Sequence, residues 1–170
     1  MSPDLWFLLW NLAAVVVTVL LHFLGTVLIV LERPRLFALA SGRGRVIFGQ
    51  FAIVVVVFQL LVLHLVEIAF LAICLQRLRL FSSFGNSIYF VGTSYTTVGY
   101  NGVVASAAAL SEVLIAIIGF LMFGWSVSIL VTTVVQYERI QFHYDPTSGA
   151  APNPEQTSAR YIVPSRSSQS

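Results

Sequence analysis

The sequence has very little charge and very little sulfur. It contains no lysine, charged residues make up 9% of the chain, and Cys74 is the single cysteine. So few charges cannot cover a surface that faces water, because soluble domains carry roughly 25% charged residues. One cysteine excludes an intramolecular disulfide framework and a cysteine cage for zinc. The nine cationic residues are arginines spread over loops and tail, and the net charge is only +2. A basic patch for nucleic acid is therefore not expected.

Long apolar runs dominate what is present. Hydrophobic residues make up 58% of the chain, and three runs exceed the roughly 20 residues that a helix needs to cross a bilayer. They predict an all-α membrane protein with an N-terminal transmembrane helix in residues 1–31, an outer helix in 46–75 and an inner helix in 107–136. A chain of this composition is expected in the plasma membrane or the bacterial inner membrane.

Arginines indicate the orientation. The linker 32–45 holds four of them, whereas the loop after the second span holds only Arg77 and Arg79; the four are Arg33, Arg35, Arg43 and Arg45. Because cytoplasmic loops are enriched in Arg and Lys, the linker is predicted to be cytoplasmic, with the N-terminus outside. The same four arginines could bind anionic lipid. The tail 138–170 is then cytoplasmic, and its Pro-rich and Ser-rich composition predicts disorder without a folded regulatory domain.

The segment between the second and third spans is too polar to cross a membrane. Ser82 or Ser83 can cap a helix, and apolar side chains then recur at helical spacing as far as Tyr95. This pattern predicts a re-entrant helix over residues 83–95. The residues that follow, 96–102, must be irregular, and irregular backbone survives at membrane depth only where protein buries it or where it lines a watery cavity. They are therefore expected to border a pore.

The sequence Thr96-Thr97-Val98-Gly99-Tyr100 resembles the TTVGY selectivity-filter signature of potassium channels. Residues 46–137 also resemble the pore module of that family, in the order outer helix, pore helix, filter, inner helix. The resemblance implies a homotetramer that conducts potassium passively, with the permeant ion as its only ligand and no cofactor. The carbonyls that would bind K⁺ belong to Thr97, Val98, Gly99 and Tyr100, and the residues that would support the filter are Thr96, Asn101 and Gly102.

Carbonyl rings suit potassium because they replace the water of the ion without a strong fixed charge. Successive carbonyls aim the same way only if the backbone alternates in handedness, and Gly99 permits the positive φ that this requires. The family's usual Gly-Asp pair is replaced here by Asn101-Gly102. Asn tolerates the left-handed region, so the turn can still form. Because the acid behind the filter is missing, a weakly selective cation channel and a non-conducting membrane subunit stay as alternatives.

Glycines and hydroxyls mark the third span. Gly119 and Gly124 would serve either as a gating hinge or as points of close helix packing. Four hydroxyl residues occupy the inner half of the same helix: Ser126, Ser128, Thr132 and Thr133.

Ionisable residues inside the spans are costly and often functional. His64 and Glu67 stand three apart on one helical face, so they can pair with each other or brace the re-entrant helix. Glu67 is expected within reach of the outer headgroups, and the pair has either a structural or a proton-sensing role. His22 shares a polar stripe with Asn11, Thr18 and Gly25. This stripe is expected to dock the first helix on the pore module.

The sequence offers no support for an enzyme or a repeat-built transporter. Its three histidines occupy three different regions, and no nucleophile and base, paired aspartates or metal-binding histidine motif is present. Internal repeats, which transporters of that kind show, are also lacking. The first span has no ladder of arginines and so does not predict a voltage sensor of the usual kind.

Overall fold

Over the residues that it describes, the computed structural model of the chain contains four helices: α1 (Pro3–Leu39), α2 (Arg45–Arg77), α3 (Phe84–Tyr95) and α4 (Ser106–Phe142). It describes residues 3–39, 45–102 and 106–142, and no strand occurs within these ranges. Helices α1, α2 and α4 are long and apolar enough to cross a membrane, over Leu5–Leu36, Gly49–Arg77 and Ala108–Arg139. The predicted all-α membrane protein with three spans and one shorter helix is confirmed.

The first helix is longer than the sequence pattern predicts. It continues past residue 31, through Pro34, to Leu39, so much of the predicted linker 32–45 is helical. Charged side chains end a lipid-facing span, but they need not end a helix when they find partners. Here Nη1 of Arg33 donates to Oγ1 of Thr133 at 3.0 Å, and Glu32 accepts a hydrogen bond from Gln59 at 2.9 Å.

Other predicted boundaries also shift. Helix α4 runs to Phe142, so the predicted tail 138–170 begins as helix. The rest of that tail, 143–170, lies outside the described residues, as does Arg43 of the linker. The side chain of Arg45 is likewise outside the described part, whereas Arg35 is exposed near the C-terminal end of α1.

Helix α2 ends in a tight turn that directs the chain into α3. Arg79 has a φ of 57°, its N–H donates to the carbonyl of Gln76, and the N–H of Leu80 donates to the carbonyl of Leu75. This pair of bonds is the Schellman pattern, in which the left-handed position usually belongs to glycine. The turn brings Phe81 against Phe90, with ring centroids 4.8 Å apart.

The short helix α3 lies between α2 and α4, while α1 packs on α2 and α4. Phe90, Val91 and Tyr95 of α3 are fully buried at the centre of the main core. Their neighbours come from α2 and α4: Leu71, Ala72, Leu75, Ala108, Ile115, Ile118 and Met122. Large apolar side chains cover the outside, among them Leu20, Phe58 and Phe120. In lipid such exposure carries no penalty, so the outer faces suit a bilayer.

Candidate functional site

The candidate site is the loop of residues 96–102, which α3 positions. Ser83 caps α3 by accepting a hydrogen bond from the N–H of Asn86, as the sequence predicts for Ser82 or Ser83. The buried face of the helix consists of Ser87, Phe90, Val91, Ser94 and Tyr95. This face anchors the helix in the core and leaves its C-terminal end to carry the loop.

The loop folds back on the last turn of α3. The N–H groups of Thr96, Thr97 and Gly99 donate to the carbonyls of Gly92, Ser94 and Thr93, at 3.0, 2.9 and 3.0 Å. These bonds satisfy carbonyls that a helix end otherwise leaves unpaired. All three are donated by N–H groups of the loop, and none of the three uses a loop carbonyl.

The loop backbone alternates in handedness. Thr97 has a φ of 60° and Gly99 a φ of 83°, whereas Val98 and Tyr100 do not have positive φ. A β-branched residue rarely adopts positive φ, and such strain is typical of functional positions. The positive φ predicted for Gly99 is confirmed. The left-handed turn expected at Asn101 is not found, because its φ is not positive either.

A carboxylate from α4 supports the loop from behind. The N–H of Tyr100 donates to Oε1 of Glu112 at 2.8 Å, and Glu112 is half-buried. The sequence comparison with the potassium-channel signature shows an acid missing after Tyr100. The structure shows that a carboxylate still reaches the backbone of the loop, from a residue twelve positions further along the chain.

Aromatic rings hold Tyr100 in place. Its ring centroid lies 5.2 Å from Phe90, 5.8 Å from Tyr89 and 6.5 Å from Phe81. A Cβ on Gly102 would meet the Tyr100 ring at 2.4 Å, so a side chain at position 102 requires that ring to move. In contrast, Val98 is 78% exposed. Of the two side chains that flank Gly99, only Tyr100 is packed against aromatic rings in this single chain.

Behind α3 lies a buried polar cluster, which we define as His22, His64, Glu67, Tyr95 and Ser126. Nδ1 of His22 lies 2.7 Å from Oε1 of Glu67. Tyr95 donates its hydroxyl hydrogen to Oε2 of Glu67, and Nδ1 of His64 lies 3.0 Å from that hydroxyl. Nε2 of His64 lies 3.0 Å from the hydroxyl of Ser126. The cluster joins all four helices.

Both predicted arrangements of His64 and Glu67 occur together, since the two residues approach within 3.4 Å and both contact Tyr95 on α3. The expectation that Glu67 reaches the outer headgroups is wrong. Its side chain is 0% exposed, because α1, which the pore-module pattern does not include, covers it with His22.

The polar stripe of α1 docks as predicted. Asn11, Thr18 and His22 are buried, and Oγ of Ser111 donates to Oδ1 of Asn11 at 2.8 Å. Arg33 adds a contact at the other end, to Thr132 and Thr133. The first helix is thus attached to the third span near both ends.

The two glycines of α4 differ in their surroundings. A Cβ on Gly119 would lie 2.0 Å from the carbonyl oxygen of Tyr95, whereas a Cβ on Gly124 would meet nothing within 4 Å. Gly119 therefore permits close packing of α4 on the end of α3. Of the four predicted hydroxyl residues, Ser126 and Thr133 are buried, and Ser128 and Thr132 are exposed.

Sequence reasoning missed the roles of Glu112, Tyr95 and Ser126. The sequence offered a signal for Glu112, because it is an acid in an apolar helix, ten residues beyond the loop 96–102, and such an acid needs a partner. Tyr95 and Ser126 carried none, since a tyrosine and a serine in a span have many possible partners.

A comparison with known proteins adds a family. No curated protein and no solved structure was found to match the chain. Residues 51–136 match the family model described as ion channel, and this region contains most of α2, all of α3, the loop and most of α4. With three apolar helices of spanning length and a matched region of half its length, the chain is a multi-pass membrane protein that belongs to the ion channel family.

Proposed function

We propose that the protein is a potassium-selective channel in which four copies of the chain surround one pore. The ion would be bound by the backbone carbonyls of Thr97, Val98, Gly99 and Tyr100. The observation that carries the proposal is the positive φ of Thr97 and Gly99 on either side of Val98. Alternate handedness is what turns successive carbonyls to one side of a loop, and a column of carbonyls can replace the hydration shell of a potassium ion.

The number of carbonyl oxygens in one loop favours a tetramer. A single chain supplies one carbonyl at each level, whereas a dehydrated ion needs several oxygens around it. Closed rotational symmetry places identical loops around an axis, and four copies give rings of four. The exposure of Val98, 78% in the single chain, is consistent with a surface that neighbouring copies cover.

Glu112 supports selectivity in this arrangement. A filter discriminates between ions only if its carbonyls keep their geometry, and the bond from the Tyr100 N–H to Glu112 fixes the outer part of the loop at 2.8 Å. Hydrogen bonds to ionised groups are stronger than neutral ones. Glu112 would therefore perform the task of the acid that the Asn101-Gly102 sequence lacks.

The proposed topology places the loop toward the outside of the cell and the arginine-rich end of α1 toward the cytoplasm. Arg35 is exposed there and is available to anionic headgroups. The guanidinium of Arg33 donates hydrogen bonds to the hydroxyls of Thr132 and Thr133. At the cytoplasmic surface Arg33 would therefore both contact lipid and attach α1 to α4. Ions would move down their electrochemical gradient, without a catalysed reaction.

Two further candidates come from the altered end of the loop. Asn101-Gly102 replaces the usual pair, and Gly102 has no room for a side chain beside Tyr100. A looser outermost site would give a weakly selective cation channel. A loop that cannot bind the ion would give a non-conducting membrane subunit.

Reversal potentials distinguish the three candidates. The purified full-length chain is placed in planar bilayers with potassium on one side and sodium on the other, after native mass spectrometry has counted the subunits. We expect tetramers and a reversal close to the potassium equilibrium potential. A reversal near zero identifies the weakly selective channel, and tetramers without current identify the non-conducting subunit. Monomers alone would contradict the proposal.

A further inference from the structure

In the buried cluster, the pairing of hydrogen-bond donors with acceptors determines how many protons the cluster holds. Glu67 and His22 are 0% exposed and His64 is 6% exposed. The described titratable groups that face His64 are Tyr95 on α3 and Glu67 on its own helix, with His22 of α1 beyond them. Helix α4 contributes Ser126 and the ring of Phe123, which are not titratable here.

The hydrogen positions follow from the donors. The hydroxyl hydrogen of Tyr95 points at Glu67, so its oxygen is free to accept from Nδ1–H of His64 at 3.0 Å. Nδ1–H of His22 donates to the other carboxylate oxygen at 2.7 Å. With the carboxylate ionised and both histidines neutral, the cluster would carry one uncompensated negative charge. Burial of such a charge in a low-dielectric interior is strongly unfavourable.

One additional proton removes this charge, and of the two histidines only His64 accepts it without an unpaired N–H. On His22 the second N–H would be Nε2–H, and that atom is buried without a partner among the described residues. On His64 the second N–H would be Nε2–H, and it faces the Ser126 hydroxyl at 3.0 Å. A charge on both histidines is disfavoured because their ring centroids lie 5.4 Å apart.

We propose that the cluster is a binding site for one proton, shared along the line Glu67, Tyr95 and His64, and that this proton fixes the end of α3 and thereby the loop 96–102. The proton can reside on His64 or on Glu67, because Tyr95 can pass a hydrogen in either direction. Both distributions leave the cluster neutral and His64 with Nε2–H.

The link to the loop is short. Tyr95 is the last residue of α3, and its carbonyl oxygen lies close to the backbone of α4 at Gly119. Its hydroxyl is held by Glu67 and His64. When the proton leaves, a buried negative charge is left beside this anchor, and the packing of α1, α2 and α3 around Tyr95 weakens. Selective conduction should therefore fall as the proton is lost at high pH.

A metal ion is the rival occupant of the same atoms. One ligand atom from each of His22, His64 and Glu67 lies within 4.8 Å of the others. However, the His22 and Glu67 atoms are 2.7 Å apart, which is a hydrogen-bond distance. Two tetrahedral ligands of zinc are separated by about 3.3 Å, given metal bond lengths of about 2.0–2.1 Å. The observed spacing fits a proton.

The first test reads the proton directly. The full-length protein, labelled with nitrogen-15 histidine, is placed in lipid nanodiscs, and the ring nitrogens are assigned with His22→Gln and His143→Gln variants. We expect Nε2 of His64 to carry hydrogen at about pH 8 together with either a second hydrogen on Nδ1 or, in protein that also carries carbon-13 glutamate, the acid form of the Glu67 carboxyl. A single N–H on His64 beside an ionised Glu67 would mean that the additional proton is absent. A bare Nε2 at that pH, or stoichiometric zinc that is lost in His22→Gln, would overturn the proposal.

The second test counts the proton from the pH dependence of the unfolding equilibrium. Because the folded state holds one proton more than the unfolded state above about pH 7.5, stability should fall as pH rises, with a tenfold change in the unfolding equilibrium constant per pH unit. In Glu67→Gln the amide oxygen accepts from Nδ1–H of His22, and the amide N–H donates to the Tyr95 hydroxyl, which donates in turn to Nδ1 of His64. No charge needs compensation in this arrangement, so the slope should disappear. The control His143→Gln should keep the wild-type slope. Equal slopes in wild type and Glu67→Gln would contradict the site.

The third test concerns conduction and rests on the proposed function. In planar bilayers the wild-type potassium current should decline at alkaline pH, and in Glu67→Gln this dependence should be lost. A protein that passes no potassium current would contradict the proposed function, while the nitrogen spectra and the linkage slope would still report on the proton site. A current without pH dependence in a protein whose proton is present would refute the coupling to the loop.

Discussion

Tyr100 and Glu112 are connected by a hydrogen bond of 2.8 Å from the backbone N–H of the first to a carboxylate oxygen of the second. This bond ties the C-terminal part of the loop to α4. It places a carboxylate acceptor behind the loop, although the pair that follows Tyr100, Asn101-Gly102, contains no acid. One side chain of α4 therefore contacts the backbone of the loop directly.

Loss of this acceptor should reduce selectivity. Glu112→Ala leaves the Tyr100 N–H without its partner, and a hydrogen bond to a charged group contributes about 1.5–3 kcal/mol. Glu112→Gln keeps an oxygen acceptor but not the charge, so its effect should be smaller. Reversal potentials in potassium and sodium should shift toward zero in the order wild type, Gln, Ala.

Glu138 provides the matched control, because it is an exposed glutamate on the same helix. Glu138→Ala should leave the reversal potential unchanged. An unaltered reversal potential in Glu112→Ala would show that the bond does not support the loop.

Gly99 should not tolerate a side chain. Its φ is 83°, and the space around a Cβ is open, with the nearest atom at 4.0 Å. The cost of Gly99→Ala is therefore conformational, roughly 1–2 kcal/mol, and the loop can avoid it only by turning its carbonyls. We expect tetramers that have lost potassium selectivity. Gly85→Ala on α3, where the nearest atom is also at 4.0 Å but φ is not positive, should behave like wild type. Selectivity preserved in Gly99→Ala would remove the filter assignment.

The sequence predicts the fold well where burial in lipid decides the structure. Apolar runs of sufficient length give the three spans, and Ser83 with its apolar spacing gives α3. It predicts helix ends less well. Glu32, Arg33 and Pro34 have the composition of a linker, but Gln59 and Thr133 provide partners for the charges. Such partners belong to other helices and are not visible in a local pattern.

The candidate site also combines features that the sequence predicts with features that it does not. The positive φ of Gly99 could be predicted, because few other residues adopt it and the carbonyl column requires it. The positive φ of Thr97 could not, since a β-branched residue is an improbable choice for that conformation. The cluster around Glu67 depends on α1, and nothing in the resemblance to a two-span pore module indicates where an additional helix packs.

The turn after α2 contains a position that glycine should improve. Arg79 has a φ of 57°, which costs a residue with a side chain roughly 1–2 kcal/mol. Glycine would remove this cost, but its greater conformational freedom in the unfolded chain offsets about 0.4–1 kcal/mol of the stabilisation. Arg79→Gly should therefore raise the free energy of unfolding by less than about 2 kcal/mol, as measured by titration with a denaturing detergent. Arg77→Gly, in the last turn of α2, should lower it by about 0.5–1 kcal/mol. A loss of stability in Arg79→Gly would indicate that the Arg79 side chain has a favourable contact.

The packing of α4 on α3 should depend on Gly119 and not on Gly124. A Cβ at position 119 would lie 2.0 Å from the carbonyl oxygen of Tyr95 and 2.8 Å from its carbonyl carbon, both backbone atoms that cannot rotate away. The two helices must therefore separate, and overpacking of this kind costs typically about 1–3 kcal/mol. Gly119→Ala should lower the free energy of unfolding by this amount and displace the loop, because Tyr95 precedes it directly.

Gly124→Ala meets no atom within 4 Å and gains helix propensity of about 1 kcal/mol, so the monomer should be no less stable. If Gly124→Ala instead abolishes conduction while Gly119→Ala leaves both stability and conduction unchanged, then α4 bends at Gly124 and the close contact at Tyr95 is not a constraint on the open channel.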